Sequence, residues 1–308
     1  MKTNVTIIIV TYNRLDELKK TLKLYDEQSL SPNRLIVIDN ACNDGTADYL
    51  DSWCTESKTF ERIVYHSEKN VGGAGGFKIG IEQAMQYNDD FIFLADDDAY
   101  PDKDMLENLL EYYEHCDEKE TIAALCTKVN DQFGVSKVHR ARVKKGLLTI
   151  RRDETRDDDY LSDHFDVDLL TFVGAMIKRK TIERIGLPLS EYFIHEDDAE
   201  YSTRIRKIGR IVCVTSSNMF HLYGGNQTKD WIEYYTTRNY IDYIGRHYQK
   251  RYQLYVEMEK YIKKCSIIAK VFKKRSKNYR KMNRIAISDG KKGKLGISEL
   301  YKPGQIIG

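Results

Sequence analysis

The 308-residue chain predicts an α/β fold, a Rossmann-like sheet flanked by helices and followed by a helical C-terminal extension. Three observations lead there. Short β-branched runs alternate with amphipathic stretches over the first hundred residues. The polar clusters fall just after those runs rather than inside them. From Trp231 to about Arg284 the spacing is helical, and Gly245 is the only Gly or Pro.

Val5-Thr6-Ile7-Ile8-Ile9-Val10 is a continuous apolar run of the kind that forms a strand covered on both faces. Leu15, Leu18, Leu22 and Tyr25 then recur at helical spacing. Leu35 to Ile38 is a second buried strand, Asp44-Gly45-Thr46 a turn and cap leading into a helix towards Trp53, and Arg62 to Tyr65 a third strand. A helix over Gly76 to Gln86 and a strand over Phe91 to Leu94 complete a parallel half, because strands separated by helices pair in parallel through right-handed crossovers. Beyond Pro101 the sequence predicts a helix over Met105–Tyr113, a strand over Ile122–Val129 and a further apolar stretch over Asp168–Ile177. A helix over Ala199–Ile208 and a strand over Ile211–Val214 follow, whereas 131–165 reads as charged and irregular, a loop or edge strands.

Composition excludes more than it identifies. With 49 basic and 47 acidic residues the formal charge is +2, which names no partner. Basic residues crowd between Lys260 and Lys294, a segment that fits either an anionic surface or a solvated helix face. Six cysteines lack CxxC and zinc-ligand spacing and read as buried thiols of a reducing compartment. No apolar run approaches the length of a membrane span or a signal peptide, so the expectation is a cytoplasmic protein, with peripheral attachment to the inner face of a membrane left open.

Ligands of open parallel sheets collect at the carboxyl ends of the strands. Here Thr11-Tyr12-Asn13-Arg14 follows the first strand, Asp39-Asn40 the second, Asn70 and a glycine run the third, and Asp96-Asp97-Asp98 the fourth. One such cluster is a capped turn; four in register point to a site. Three adjacent carboxylates repel one another unless a cation is held, and hard oxygen ligands suit Mg²⁺ or Mn²⁺ together with a diphosphate. An acidic surface loop is the competing explanation. Asn70-Val71-Gly72-Gly73-Ala74-Gly75-Gly76-Phe77 is a glycine-rich loop opening a helix, where backbone amides can approach a phosphate or sugar, although a tight structural turn explains it equally. It matches neither GxGxxG nor a P-loop. His195-Glu196-Asp197-Asp198-Ala199-Glu200 precedes a helix, where acidic residues also serve as caps. His221, within Phe220-His221-Leu222-Tyr223-Gly224-Gly225, follows a strand, a setting in which a lone histidine is commonly structural.

In this order the segments resemble the family 2 glycosyltransferases of the GT-A fold, from about Val5 to about Gly225. The glycine-rich variant, with Asp-Asp-Asp-Ala and a downstream His, is similar to bacterial galactofuranosyltransferases that use UDP-galactofuranose. Asp289-Gly290-Lys291-Lys292-Gly293-Lys294-Leu295-Gly296 is similar to an ending of rhamnosyltransferases that use dTDP-rhamnose. The resemblance implies a mixed sheet in a catalytic domain over 1–230, with a nucleotide-binding half (1–100) and an acceptor half (101–230), and a basic helical extension over 231–308. It implies that Tyr12 stacks on uracil, Asp39 hydrogen-bonds its ring and Asp97 contacts ribose. Thr11, Arg14, Asn70, Gly72 and Gly73 complete the candidate donor site. Asp96, Asp98 and His221 would hold Mn²⁺ or Mg²⁺ on the diphosphate, and Asp198 would be the general base of an inverting transfer. The expected partners are a nucleotide-sugar donor, a glycan or lipid-linked glycan acceptor and an anionic membrane surface, with no nucleic acid; an oligomer is open. The paired acceptor-site tryptophans of mycobacterial galactofuranosyltransferases have no counterpart, and Tyr192-Phe193 is the candidate substitute. A nucleotidyltransferase would carry a basic Gly-rich loop after the first strand, where Thr11-Tyr12-Asn13-Arg14 stands instead. A non-catalytic nucleotide- or glycan-binding scaffold is the alternative outside the enzymes.

Overall fold

The computed structural model describes residues 3–56, 59–222, 230–271, 273 and 275–305. Tyr223, Gly224 and Gly225, singled out in the sequence, lie outside them, as do Phe272 and Lys274 of the basic segment. The first half is β1 (Val5–Thr11), α1 (Leu15–Asp26), β2 (Arg34–Asp39), α2 (Thr46–Thr55), β3 (Glu61–His66), α3 (Gly72–Ala84), β4 (Phe91–Asp96), β5 (Ala99–Pro101) and α4 (Met105–His115). The second half holds β6 (Ile122–Asp131), β7 (Gly134–Val135), β8 (Arg140–Lys145), β9 (Ile150–Glu154), β10 (His164–Val167), β11 (Leu169–Leu170) and β12 (Ala175–Lys178). It closes with α5 (Arg179–Ile185), α6 (Asp197–Ile205) and β13 (Arg210–His221). The extension is α7 (Asp230–His247), α8 (Lys250–Lys264), α9 (Ile267–Val271) and α10 (Lys277–Lys291).

The main sheet runs β10-β13-β6-β12-β4-β1-β2-β3. Strands β4, β1, β2 and β3 are parallel, as the alternation of strand and helix requires. β12 enters antiparallel between β4 and β6, so the sheet is mixed. Alternation along each strand splits the core into two layers. Ile7 and Ile9 pack with Leu18, Leu22 and Tyr25 of α1, whereas Ile8 and Val10 pack with Phe77 and Ile81 of α3.

One expectation changes, and two become specific. The glycine run is not a loop before a helix at Gly76, because α3 already begins at Gly72 and several of its glycines are packing positions. A Cβ at Gly76 or Gly80 would strike Val10 or Ile8 of β1. Residues 131–165 carry β7, β8, β9 and the start of β10, and β8 and β9 join β11 in a second, three-stranded sheet. Finally, the extension is continuous with the core: Trp231, Tyr234 and Tyr235 of α7 pack with Phe193 and with Met282 of α10.

Candidate functional site

The carboxyl ends of β1 and β4 meet the end of β13 around a cavity of about 500 Å³. The chain reverses just after β4, and β5 pairs antiparallel with the end of β13, placing His221 opposite Ala99. That pairing brings the histidine across more than a hundred residues of sequence to the acidic triplet. His221 Nε2 is 3.2 Å from Asp98 Oδ1 and 4.0 Å from Asp96 Oδ2. One potential ligand atom from each of the three residues lies within 4.8 Å of the others.

Two features of this cluster fit a hard divalent cation. Asp98 Oδ1 is buried without a well-directed hydrogen bond, so its lone pairs are free to coordinate. The two carboxylates also supply the hard oxygen donors that Mn²⁺ and Mg²⁺ take, with the imidazole beside them as a third ligand. The Arg14 guanidinium pairs with Asp98 and lies 3.3 Å from Asp97 Oδ1. Burial followed by repulsion from Asp98 raises the Asp96 carboxyl to about 6. Burial raises Asp97 to about 7 against the opposing charge of Arg14 and the Thr11 hydroxyl, which donates to its Oδ2 at 2.7 Å. Burial also acts upward on Asp98, yet its contacts with His221 and Arg14 outweigh it and hold that carboxyl low. Burial depresses His221, but the two carboxylates overcome this and raise it.

Of the residues expected from sequence, Thr11, Tyr12, Arg14, Gly73, Asp96, Asp97, Asp98, Asp198 and His221 line this one cavity. Tyr12 is 47% exposed, leaving its ring open to a planar partner. Asp39, Asn70 and Gly72 do not line it. Asp39 Oδ1 accepts the Cys42 amide at 2.8 Å, and its Oδ2 meets His66 Nδ1 at 2.8 Å. Asn70 Oδ1 accepts the Gly72 amide at 2.8 Å, just before α3. Gly72 has φ +75°, and a Cβ there would overlap the Phe193 carbonyl, so this glycine serves close packing rather than approach to a ligand. Tyr192 and Phe193 form no acceptor platform either. Both are buried, Tyr192 donating its hydroxyl to Asp242 at 2.8 Å and Phe193 packing on Trp231 and Tyr235.

Asp198 faces the cavity from the first turn of α6. The loop before it is strained, with positive φ at Phe193, His195 and Glu196. It is held from α7, where the Asn239 amide donates to the carbonyls of Tyr192, Ile194 and His195 at 2.9, 2.9 and 3.0 Å. Sequence reasoning missed His139, whose ring stands edge-on to His221 at 5.0 Å and whose Nδ1 meets the Thr171 hydroxyl at 2.8 Å. Burial, with Arg140 and His221 nearby, keeps His139 well below its usual range and therefore neutral. Its only sequence signal was a histidine inside an aperiodic segment.

The Asp289–Gly296 stretch closes α10, with the Gly296 amide donating to the Glu191 carbonyl at 2.8 Å and Arg238 bonding the Gly296 carbonyl. None of its residues lines the cavity.

The glycosyl transferase family 2 profile matches residues 6–186. The galactofuranosyltransferase GlfT1 of Mycobacterium tuberculosis is 30% identical over 210 residues, covering 68% of this chain and 66% of that protein. GlfT1 of Mycolicibacterium smegmatis is 30% identical over 221 residues, covering 69% of each. The match therefore spans about two thirds of these relatives. Among solved structures, GalNAc-T7 with UDP, GalNAc and Mn²⁺ aligns with a TM-score of 0.64 at 14% identity, over 94% of this chain and 56% of that one. S. aureus TarS in complex with UDP aligns at 0.59 and 14% identity, over 94% and 80%. The mixed sheet, its flanking helices and the helical C-terminal region are those of the GT-A glycosyltransferase fold, and the chain belongs to glycosyl transferase family 2.

Proposed function

We propose that this protein is a divalent-metal-dependent, inverting glycosyltransferase that moves galactofuranose from UDP-galactofuranose to a glycan or lipid-linked glycan acceptor. The observation that carries the reading is the convergence of Asp96, Asp98 and His221 in the same cavity as Asp198. Similarity to galactofuranosyltransferases supports the donor.

Tyr12 would stack on the base, and Thr11 and Asp97 would take the ribose. Arg14 would exchange its carboxylate partners for the diphosphate, with the Gly73 backbone open beside it. Asp39, Asn70 and Gly72 would support this wall from behind. Asp96, Asp98 and His221 would hold Mn²⁺ or Mg²⁺, which when bound supplies the Lewis acid that neutralises charge on the departing diphosphate. Asp198 would accept the proton of the acceptor hydroxyl as that oxygen attacks the anomeric carbon. One displacement inverts the configuration. The catalytic domain would span 1–230, with 231–308 as its helical extension.

Release of UDP from UDP-galactofuranose, followed with Mn²⁺ and with chelator, tests this reading. Asp98→Ala should lose metal-dependent turnover while keeping its circular dichroism spectrum; full activity of that variant in chelator would refute it. UDP-galactopyranose and dTDP-rhamnose should be poor donors at equal concentration. Faster turnover of dTDP-rhamnose would reassign the sugar, and no turnover with any donor would favour the binding scaffold.

No helix among the described residues is long and apolar enough to cross a membrane. Met258, Tyr261, Ile262, Ile267, Ile268 and Val271 are nevertheless exposed beside Lys263 and Lys270, which supports docking of α8 and α9 on an anionic bilayer at the cytoplasmic face. Each basic residue near such a surface contributes about 1 kcal/mol. Sedimentation with anionic liposomes, weakened by salt, is the expected outcome; equal binding to neutral liposomes would count against it.

A further inference from the structure

A second cavity, of about 280 Å³, opens between the β8–β9 hairpin and the C-terminal ends of α6 and α7. Its walls bring together Lys145 from β8, Arg206 and Lys207 from the turn after α6, and His247 and Tyr248 from the end of α7. None of these residues lines the cavity that holds the acidic triplet and Asp198. The Lys145 ammonium stands 5.0 Å from the centre of the Tyr248 ring, and the Lys207 ammonium donates to His247 Nδ1 at 3.3 Å.

Cations outnumber anions there. Asp168 is the only carboxylate among the described residues that lines the cavity, and both its oxygens are taken. Oδ1 is 3.2 Å from Arg206 Nε, and Oδ2 accepts the Val143 amide at 2.8 Å. Glu200, 2.8 Å from His247 Nε2, is itself paired with Arg204. Among the described residues neither Lys145 nor Lys207 has a carboxylate in an ion pair. Arg206 and Lys207 follow the end of α6, where a cation also answers the helix dipole. Lys145 ends a strand, so the dipole gives no reason for it. The same hairpin carries a second feature. Its turn closes where the Gly146 amide donates to the Thr149 carbonyl at 2.8 Å, and the Tyr252 hydroxyl of α8 donates to the Gly146 carbonyl at 3.1 Å. The pinned turn holds Leu147 and Leu148 out in solvent, 80% and 60% exposed. Adjacent large apolar side chains in a turn, a place that polar residues usually fill, mark a contact surface.

We infer that this cavity binds the phosphate headgroup of an anionic lipid, whose acyl stem lies against Leu147 and Leu148. Lys145 and Lys207 supply the unpaired charge, and Arg206 stands beside them with donors to spare. An anion joined to hydrocarbon is the ligand that uses both features: a nucleotide or a free sugar phosphate has no use for the leucines, and an apolar peptide has none for the lysines. The site is separate from the α8–α9 face proposed above and does not depend on glycosyl transfer.

The test uses single lipid molecules rather than a bilayer. Dihexanoyl phosphatidate, below its micellar concentration, is titrated into the full chain by calorimetry in buffer stripped of divalent cations. Inorganic phosphate and dihexanoyl phosphatidylcholine are the other two arms. Saturable binding of the phosphatidate is expected, with inorganic phosphate about tenfold weaker for want of the acyl contact and the zwitterionic lipid weaker than the phosphatidate. Lys145→Gln with Lys207→Gln should weaken phosphatidate binding about 30-fold, whereas Lys20→Gln with Lys23→Gln, exposed on α1, should leave it unchanged. Leu147→Ser with Leu148→Ser should weaken the lipid about tenfold and spare inorganic phosphate. Each variant alters exposed side chains, so an unchanged circular dichroism spectrum checks that it is folded. Absence of saturable binding, equal affinity for lipid and inorganic phosphate, or an equal loss in the α1 control overturns the inference. The probe is monomeric and needs neither donor nor metal, so failure of the donor assay or of docking through α8 and α9 would leave this result standing.

Discussion

At the start of α6 two adjacent aspartates have different electrostatic settings. Burial raises Asp198 to about 6, with the Arg152 charge opposing and the Glu196 charge adding to the rise. Burial, then the charge of Asp198, holds Asp197 well above the usual carboxylate range. A general base must be ionised before it can accept a proton, so Asp198 is the member of the pair available near neutrality. The sign of the pH dependence follows: kcat should rise as pH climbs through about 6 and then level off, because the working form is the deprotonated one. Asp198→Asn should lower kcat by about 10²–10⁴-fold and remove that limb, with UDP binding by calorimetry unchanged. A dead Asp197→Asn beside an active Asp198→Asn would move the role by one residue. The pair was visible in the sequence as Asp-Asp-Ala-Glu at a helix start, but its neighbours were not. Arg152 comes from a segment without periodicity, and only pairing of β8 with β9 brings it to Glu196.

For α3, the glycine run was legible as a place where side chains are missing, and the reason they are missing became clear only from what packs against it. Gly80 stands over Ile8 and Ile38, both fully buried strand residues with no room to retreat, whereas nothing lies within 4 Å of a Cβ built at Gly73. Helix propensity favours Ala over Gly by about 1 kcal/mol, and overpacking a buried interface costs about 1–3 kcal/mol. The balance gives opposite signs at the two positions. Gly80→Ala should lose up to about 2 kcal/mol in urea denaturation, and Gly73→Ala should gain up to about 1 kcal/mol. Equal effects at both would mean that α3 is not seated against β1 as described. The buried strands β1, β2 and β4 and helices α1 and α2 were readable because their apolar period matches their geometry. The second sheet was not, since β9 buries only Ile150 and leaves four exposed polar residues that carry no alternation.

Across the molecule, the candidate site depends on a segment that the sequence presents as an appendage. The loop carrying His195 and Glu196 is strained, and such backbone persists only where its surroundings over-determine it. Asn239 provides that determination from α7, one buried amide serving three loop carbonyls, while Arg238 bonds the carbonyls of Glu191 and Tyr192. Neither residue was legible, because a polar residue on a Tyr- and Arg-rich helix looks solvated until its partners are known. Asn239→Leu keeps the branched shape and removes both donors, together with the Oδ1 that accepts from Arg238 Nε. It should cost about 2–4 kcal/mol, since carbonyls left buried without a donor retain the full desolvation penalty. The loop would then relax towards ordinary φ values, and Asp198, at its end, would shift. A displacement near 1 Å can cost about 10²-fold in turnover, so kcat should fall well beyond what lost stability alone produces at a temperature where the variant stays folded. UDP affinity, which the proposed donor site assigns to Thr11, Tyr12, Arg14 and Asp97, should hold. A variant that loses UDP affinity and turnover together would show instead that α7 supports the whole cavity rather than its acceptor-facing loop.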